Sequence, residues 1–199
     1  MARGAGDKTA PLEFACACGK LDGHFTPEAA TSGAHVACYC SDCRAAQLYM
    51  DQPDPAPGPV DLFQTTPDAL TLQGQEHLGL YRLSPRGTMR WYATCCNTPL
   101  FNTATTAKVP FVGIQVARLT TPERIGPVIA QAFAPKPGGK TTHKGLGRVI
   151  LKMLPQVLGT RISGRWRQTP FFDVETGKPV ATAKIPSKEE RAALYPSMR

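Results

Sequence analysis

The chain has 199 residues, 42 % of them hydrophobic, and carries 23 Lys and Arg against 15 Asp and Glu, a formal charge of +8. That is enough apolar material for a core without disulfide stapling, while 19 Pro and 18 Gly against 8 % aromatic residues argue against a long-helix bundle and for short, β-rich elements joined by many turns. No uninterrupted apolar run approaches membrane-spanning length, since the best candidate, VILKMLPQVL, is broken by Lys152 and Pro155.

The opening stretch MARGAGDKTAPLEF lacks the apolar centre of a signal peptide, so a soluble, cytoplasmic protein is expected, in a compartment that keeps ordinary thiols reduced. Seven cysteines there point to metal or catalysis. Cys16 and Cys18 come first, in ACACGK. On an extended segment a C-x-C pair points both sulfurs to one side, because strand side chains alternate. That arrangement suits a shared metal, whereas a bond between the two sulfurs would be strained.

The stretch HVACYCSDCR then places Cys38, Cys40 and Cys43 close together. Cys38 and Cys40 share a face of an extended segment, and Ser41 is the expected N-cap of a short helix beginning DCRAAQL. Cys43 falls in its first turn, where backbone amides and the positive dipole end favour a thiolate, with Arg44 as additional charge. Three thiolates around Zn²⁺ leave a fourth tetrahedral position vacant, the mark of a catalytic rather than a structural ion. Other readings stand beside this one. Free cysteines also serve as small buried hydrophobes. Cys40 and Cys43 have redox spacing, although no βαβ setting accompanies it. His35 is a further candidate ligand that would close the site, while His24, His77 and His143 lack metal-like spacing. The Pro- and Asp-rich segment Asp51 to Pro59 reads as a loop, either a surface connection or an overhang above the open ion.

VDLF and ALTLQG are short strand candidates. Leu78 to Leu83 and Thr88 to Cys95 predict a hairpin joined by Ser84-Pro85-Arg86-Gly87, with Pro and Gly where a type I turn prefers them. The hairpin carries Trp91 and Tyr92 and delivers the vicinal pair Cys95 and Cys96 in YATCCNTPLF. VPFVGIQVARL is a stronger, mostly apolar strand candidate.

Past residue 120, Thr121 before Pro122 predicts a helix through about Ala132, and APKPGGKTTHKG reads as a flexible basic loop. In GLGRVILKMLPQVLG, Leu146, Val149, Ile150, Met153, Leu154, Val157 and Leu158 recur at helical spacing, with Lys144, Arg148 and Lys152 on another face and Pro155 expected to kink or divide the helix. Such a helix either packs on the core with its cations in water or meets a membrane surface, nucleic acid or an acidic partner. Arg161, Arg165 and Arg167 surround Trp166, and SKEERAALY suggests a short helix in the polar segment from Ala181 to Arg199. Between Glu123 and Asp173 lie nine cations and no acidic residue. The chain thus divides into a cysteine-bearing part and a cationic part.

Taken together, CACG at 16 to 19, CYCSDCR at 38 to 44, SPRGTMR at 84 to 90 and CNTPLF at 96 to 101 resemble the glutathione-dependent formaldehyde-activating enzymes, a family that includes the centromere protein V relatives. The resemblance covers residues 14 to 105. It implies a mainly β, Mss4-like sheet fold with zinc sites and a few α-helices in the C-terminal half. Residues 12-120 would form the zinc-binding domain, and 121-199 a basic, partly helical extension packed on it. Two Zn²⁺ ions are implied. Cys38, Cys40 and Cys43 match the open site, where they would be catalytic as ligands, and Cys16, Cys18 and Cys96 match three of four structural ligands. The family's fourth structural cysteine falls on Ala93, and Asn97 replaces its glycine. Cys95 is the nearest replacement; the alternatives are three thiolates plus water, or a free Cys95.

The activity implied is that of a carbon-sulfur lyase acting on a thiol-aldehyde adduct such as S-hydroxymethylglutathione, so the expected partner is a small thiol or aldehyde. Asp42 and Arg44 lie nearest in sequence as proton-handling groups. The alternative is a non-catalytic zinc-binding module whose basic half binds an anionic partner. Nucleic-acid-reading motifs are absent, which leaves only salt-sensitive backbone attraction for such a polymer.

Overall fold

Short segments rich in β-branched and aromatic residues, punctuated by Gly and Pro, assemble into two sheets in a computed structural model that describes residues 9–195. Residues 1–8 of the stretch read for a signal peptide, and 196–199 of the polar terminal segment, lie outside the described residues. The fold is mainly β. A small antiparallel sheet joins β1 (Leu12–Ala15), β2 (Asp22–Phe25) and β5 (Leu70–Gln73) in that order. The large sheet uses β3 (Ala34–Cys38), β4 (Val60–Thr65), β6 (Leu78–Tyr81), β7 (Met89–Ala93), β8 (Thr98–Thr103), β9 (Val112–Gln115), β10 (Ala130–Pro135), β11 (Thr141–Lys144) and β12 (Ala183–Lys184), in the order β11-β10-β3-β4-β9-β8-β7-β6-β12. Four helices accompany them: α1 (Pro27–Ser32), α2 (Ser41–Tyr49), α3 (Leu146–Ile162) and α4 (Lys188–Ala193). Two of these precede residue 50, whereas the resemblance implied helices mainly in the C-terminal half.

A chain of fully buried rings holds the two sheets together. Phe63 packs on Phe25, Phe25 on Phe14, Phe14 on Phe101, Phe101 on Phe171 and Phe171 on Trp91, with centroid separations of 5.0–6.5 Å. Tilted and edge-on contacts of this kind add to the area term, and burying each ring contributes about 1.5–3 kcal/mol. The Trp91 indole N–H donates to Thr103 Oγ1 at 2.9 Å, so the largest core side chain leaves no polar atom stranded. Gly79 lies opposite Tyr92 across β6 and β7, where a Cβ would collide with the Tyr92 ring. The turn from Ser84 to Gly87 closes as expected, with the Gly87 N–H donating to the Ser84 carbonyl at 3.0 Å.

Beyond residue 120 the structure corrects several expectations. The helix predicted through Ala132 is only a 3-10 turn, Pro122–Ile125, because Gly126 in the left-handed region (φ 75°) and then Pro127 end it. The chain continues into β10, which pairs in parallel with β3. The predicted basic loop is the β10–β11 hairpin, turned at Pro137–Gly139 with Gly138 and Gly139 both at positive φ. The long apolar candidate ending at Leu119 yields a strand only over Val112–Gln115, followed by a 3-10 turn at Val116–Arg118.

Helix α3 runs unbroken through Pro155. The carbonyl that loses its donor belongs to Leu151, on the solvent side with 78 % of its surface exposed, so water can replace the missing bond. Its inward face is also narrower than the periodicity implied. Met153 and Thr160 are buried and Val149, Gln156 and Val157 half-buried, while Leu146, Ile150, Leu154 and Leu158 point outward. Lys152 Nζ donates to the Thr31 and Gly33 carbonyls and Gln156 Nε2 to that of Ser32, fixing α3 to the end of α1. Helix α4 carries the full capping box of Ser187 and Glu190.

Candidate metal centres

The first centre forms where β1 ends. Cys16 is buried at the start of a tight turn: its N–H donates to the Leu21 carbonyl at 2.9 Å, and Gly19 takes a positive φ. Across from it, the β7–β8 connection presents Cys95 and Cys96. This turn requires a left-handed residue, and Asn97 supplies it at φ 52°. Asparagine tolerates that region better than any residue with a larger side chain, which accounts for its standing where the resembled family has glycine. The four sulfurs converge. Cys16 lies 3.6 Å from Cys18 and 3.9 Å from Cys95, Cys18 lies 3.2 Å from Cys95, and Cys95 lies 3.9 Å from Cys96. Tetrahedral zinc with Zn–S bonds of about 2.3 Å has sulfur–sulfur edges of about 3.8 Å, whereas a disulfide bond is about 2.05 Å. The spacings bracket the former, and all seven cysteines are free. Ala93, fully buried on β7 between Leu78 and Thr98, holds no ligand; Cys95 enters the cluster in its stead.

Backbone and side-chain groups surround these sulfurs. The Leu21 N–H donates to Cys16 Sγ at 3.4 Å, and Thr98 Oγ1 accepts from the Ala17 N–H at 3.1 Å while lying 3.0 Å from Cys96 Sγ. Desolvation opposes ionisation of Cys96, but hydrogen bonds at Thr98 and Cys18 outweigh it and bring the thiol down to about 6. Desolvation and then the sulfurs of Cys18, Cys96 and Cys16 push Cys95 up to about 12. Half-buried Arg118 approaches the cluster. Burial lowers its pKa, while the charges of Cys96 and Cys16 oppose that fall.

The second centre lies at the junction of β3 and α2. Cys38 is paired with Val60 of β4 on one side and Ala132 of β10 on the other. The helix cap is Cys40 itself, not Ser41: its sulfur accepts the Cys43 N–H at 3.3 Å, doing what a hydroxyl would do at that position. Cys38 donates to Cys40 at 3.4 Å and Cys43 to Cys38 at 3.5 Å. Hydrogen bonds from Cys38 and Cys43, assisted by the Cys43 amide and the Arg90 charge, overcome burial and hold Cys40 down to about 2. Donation to their neighbours and burial raise Cys38 and Cys43 correspondingly. The thiolate form is thus favoured at Cys40, at the positive end of α2. Among the described residues no fourth Cys, His, Asp or Glu atom joins these three within 4.8 Å. His35 is occupied elsewhere, with Nδ1 3.0 Å from the Gly126 carbonyl.

Two groups read as neighbours of this cluster are engaged otherwise. Arg44 forms a two-pronged pair with Asp54 at 2.6 and 2.8 Å, tying the Asp51–Pro59 loop to α2, and Asp42 accepts the Tyr195 hydroxyl at 2.6 Å. The cation that does act on the cluster is Arg90, quoted in SPRGTMR without a role. It is 5 % exposed, donates to Asn102 Oδ1 at 3.2 Å, and has no ion-pair partner among the described residues. A buried cation needs compensation, and the Cys40 charge offers it. An arginine inside the otherwise apolar strand MRWYA was the available signal. The 3-10 turn carrying Arg118 lies near the first centre, and its Nη2 donates to Gln52 Oε1 at 3.2 Å; Gln52 Nε2 in turn reaches the Asn97 carbonyl at 3.4 Å, so the end of α2 is linked to the first centre as its beginning is to the second.

Both clusters have the donor set and spacing to hold a thiophilic metal ion, one closed by four sulfurs and one open. Among the described residues no helix is long and apolar enough to cross a membrane. No curated protein matches the chain. A crystal structure of a Rhodobacter sphaeroides protein is similar at 20 % identity and a TM-score of 0.41, covering 59 % of this chain and 97 % of that one. Residues 7–184 match a family of unknown function, DUF6151, and the chain belongs to that family.

Proposed function

We propose that the protein is a zinc-dependent carbon-sulfur lyase that interconverts a thiol of the glutathione type, a small aldehyde such as formaldehyde, and their adduct. The observation that carries this reading is the incomplete sulfur set at the second centre, three cysteines against four at the first. The quoted motifs, which resemble the formaldehyde-activating family, support it further. Cys38, Cys40 and Cys43 would hold the ion as thiolates, and Cys16, Cys18, Cys95 and Cys96 would hold the structural one. At the open position a zinc ion supplies Lewis acidity toward a carbonyl oxygen or stabilises a substrate thiolate.

The chain's own residues favour this chemistry in definite ways. The α2 terminus and Arg90 stabilise negative charge at Cys40, which favours its thiolate form at neutral pH. Asp42 and Arg44 are held by Tyr195 and Asp54, which leaves proton traffic to water and to the substrate. In the synthetic direction a carbon–sulfur bond forms while the thiol proton ends on the former aldehyde oxygen; the reverse step breaks that bond and returns the proton to sulfur. The cationic segment after residue 123 draws an anionic tripeptide toward the surface.

The test is adduct formation from glutathione and formaldehyde, followed by NMR. Acceleration by the zinc-loaded protein, abolished in Cys40→Ser, is expected. Wild-type protein with its full metal complement and no acceleration over the uncatalysed reaction would refute the proposal.

A further inference from the structure

Helix α3 is amphipathic in a way that leaves most of its apolar surface in water. Its inner side is small and partly polar, with Met153 and Thr160 buried. At about 100° per residue, Ile150, Leu151, Leu154, Leu158 and Ile162 share the outer half, and they are 59, 78, 51, 48 and 84 % exposed. Soluble surfaces tolerate scattered apolar side chains, but a contiguous ridge of five along one helix marks a contact surface. The 17-residue helix is about 25 Å long, so the ridge is extended.

The surroundings of the ridge are cationic. Lys136, Lys140 and Lys144 of the preceding hairpin, Arg148 and Arg161 of α3, and Arg167 after it have no carboxylate within ion-pair distance among the described residues. All six are exposed, and no acidic residue occurs between Glu123 and Asp173. Arg161 and Arg167 flank the Trp166 ring at 5.0 and 4.6 Å, which keeps them fixed near the helix end.

We infer that the outer face of α3 docks on an anionic lipid bilayer, with the apolar ridge entering the interface and the flanking cations meeting lipid phosphates and carboxylates. Charge selects this occupant. A second copy of the chain would set one cationic rim against another, which repels. The inference stands apart from the chemistry of the cysteine clusters, and it would give the anionic partner of a non-catalytic module a chemical identity.

The experiment is cosedimentation of the full-length, zinc-loaded protein with vesicles of phosphatidylcholine containing about 30 % phosphatidylserine, compared with phosphatidylcholine alone. Binding that requires phosphatidylserine and weakens with salt is expected, and neutralising Arg148 with Arg148→Gln should weaken it about fivefold. The triple variant Leu151→Ser, Leu154→Ser, Ile162→Ser should bind at least about tenfold more weakly. These side chains are exposed, so unchanged circular dichroism and metal content are expected in the variant. No binding to the anionic vesicles, equal binding to both vesicle types, or undiminished binding by the triple variant would overturn the inference. So would a wild-type dimer in solution that the triple variant abolishes, or salt-sensitive oligonucleotide binding without vesicle binding.

Discussion

Replacing Cys95 by Ser removes one sulfur from the first centre and leaves the second untouched, so the consequences for metal and fold can be separated. Structural zinc in small modules is worth about 10–16 kcal/mol. Shared over four thiolates this is about 2.5–4 kcal/mol each, or two to three decades of affinity at about 1.4 kcal/mol per decade. The serine hydroxyl is a poor substitute, since thiolate is the ligand the ion selects. The site also joins the turn after β1 to the β7–β8 turn, bringing together residues 79 positions apart between Cys16 and Cys95, so its loss releases a long-range tie. The measurement is zinc per chain by mass spectrometry after dialysis against a competing chelator, with thermal melting in parallel. Wild type should retain two equivalents, Cys95→Ser one with a lowered Tm, and Cys38→Ser one with a smaller loss of Tm. Cys95→Ser retaining both ions at unchanged affinity would show that Cys95 is not a ligand, and wild type holding a single ion would refute the assignment of two centres.

Three further outcomes follow from the geometry. Phe171→Ala empties a fully buried position between Trp91 and Phe101 and should cost about 3–5 kcal/mol in urea unfolding; a loss under about 1 kcal/mol would mean the ring is not part of the core. Asn97→Gly should be close to neutral because φ is 52°, whereas Asn97→Val forces a β-branched residue into the left-handed region and should cost about 1–3 kcal/mol; equal melting temperatures for the two would contradict the turn. In metal-free protein, iodoacetamide should label Cys40 first among the three, and labelling should persist to about pH 5, because a thiol held far below its ordinary value remains a thiolate there. Cys43, raised by its neighbours and burial, should stay protonated and slow; labelling of Cys43 ahead of Cys40 would reverse the charge assignment.

The cysteine groupings were legible because sulfur spacing is a local signal: a C-x-C at a strand end and a C-x-x-C entering a helix constrain side-chain direction without reference to distant structure. The hairpin from Leu78 to Ala93 was legible for the same reason, its turn residues standing where the turn needs them. Cys95 illustrates the boundary. Its adjacency to Cys96 made it a candidate, but its entry depends on the left-handed Asn97, whose conformation no spacing rule states. Strand β10 was hidden more deeply. AQAFAP has no alternation, and it becomes a strand because β3 offers an edge for parallel pairing. The Thr121-Pro122 signal truly starts a helical turn, which Gly126 and Pro127 cut short. For α3, periodicity identified an apolar half but not its direction; that was decided by how little of the helix the sheet and α1 can cover. Arg90 was written in a quoted motif, yet its relation to Cys40 exists only once β7 and α2 are assembled.

Both borders of the large sheet are supplied by the last third of the chain: β10 and β11 shield β3 on one side, and β12 lies along β6 on the other. A ribosome that has released only the first 120 residues has therefore delivered every cysteine while leaving two strands with open rows of amides and carbonyls. Delivery of the cysteines and completion of the sheet are thus separated in time during synthesis. The nascent cysteine-rich part needs shelter from self-association until Lys184 emerges, and a product truncated before that point should accumulate as aggregates with its thiols already in place.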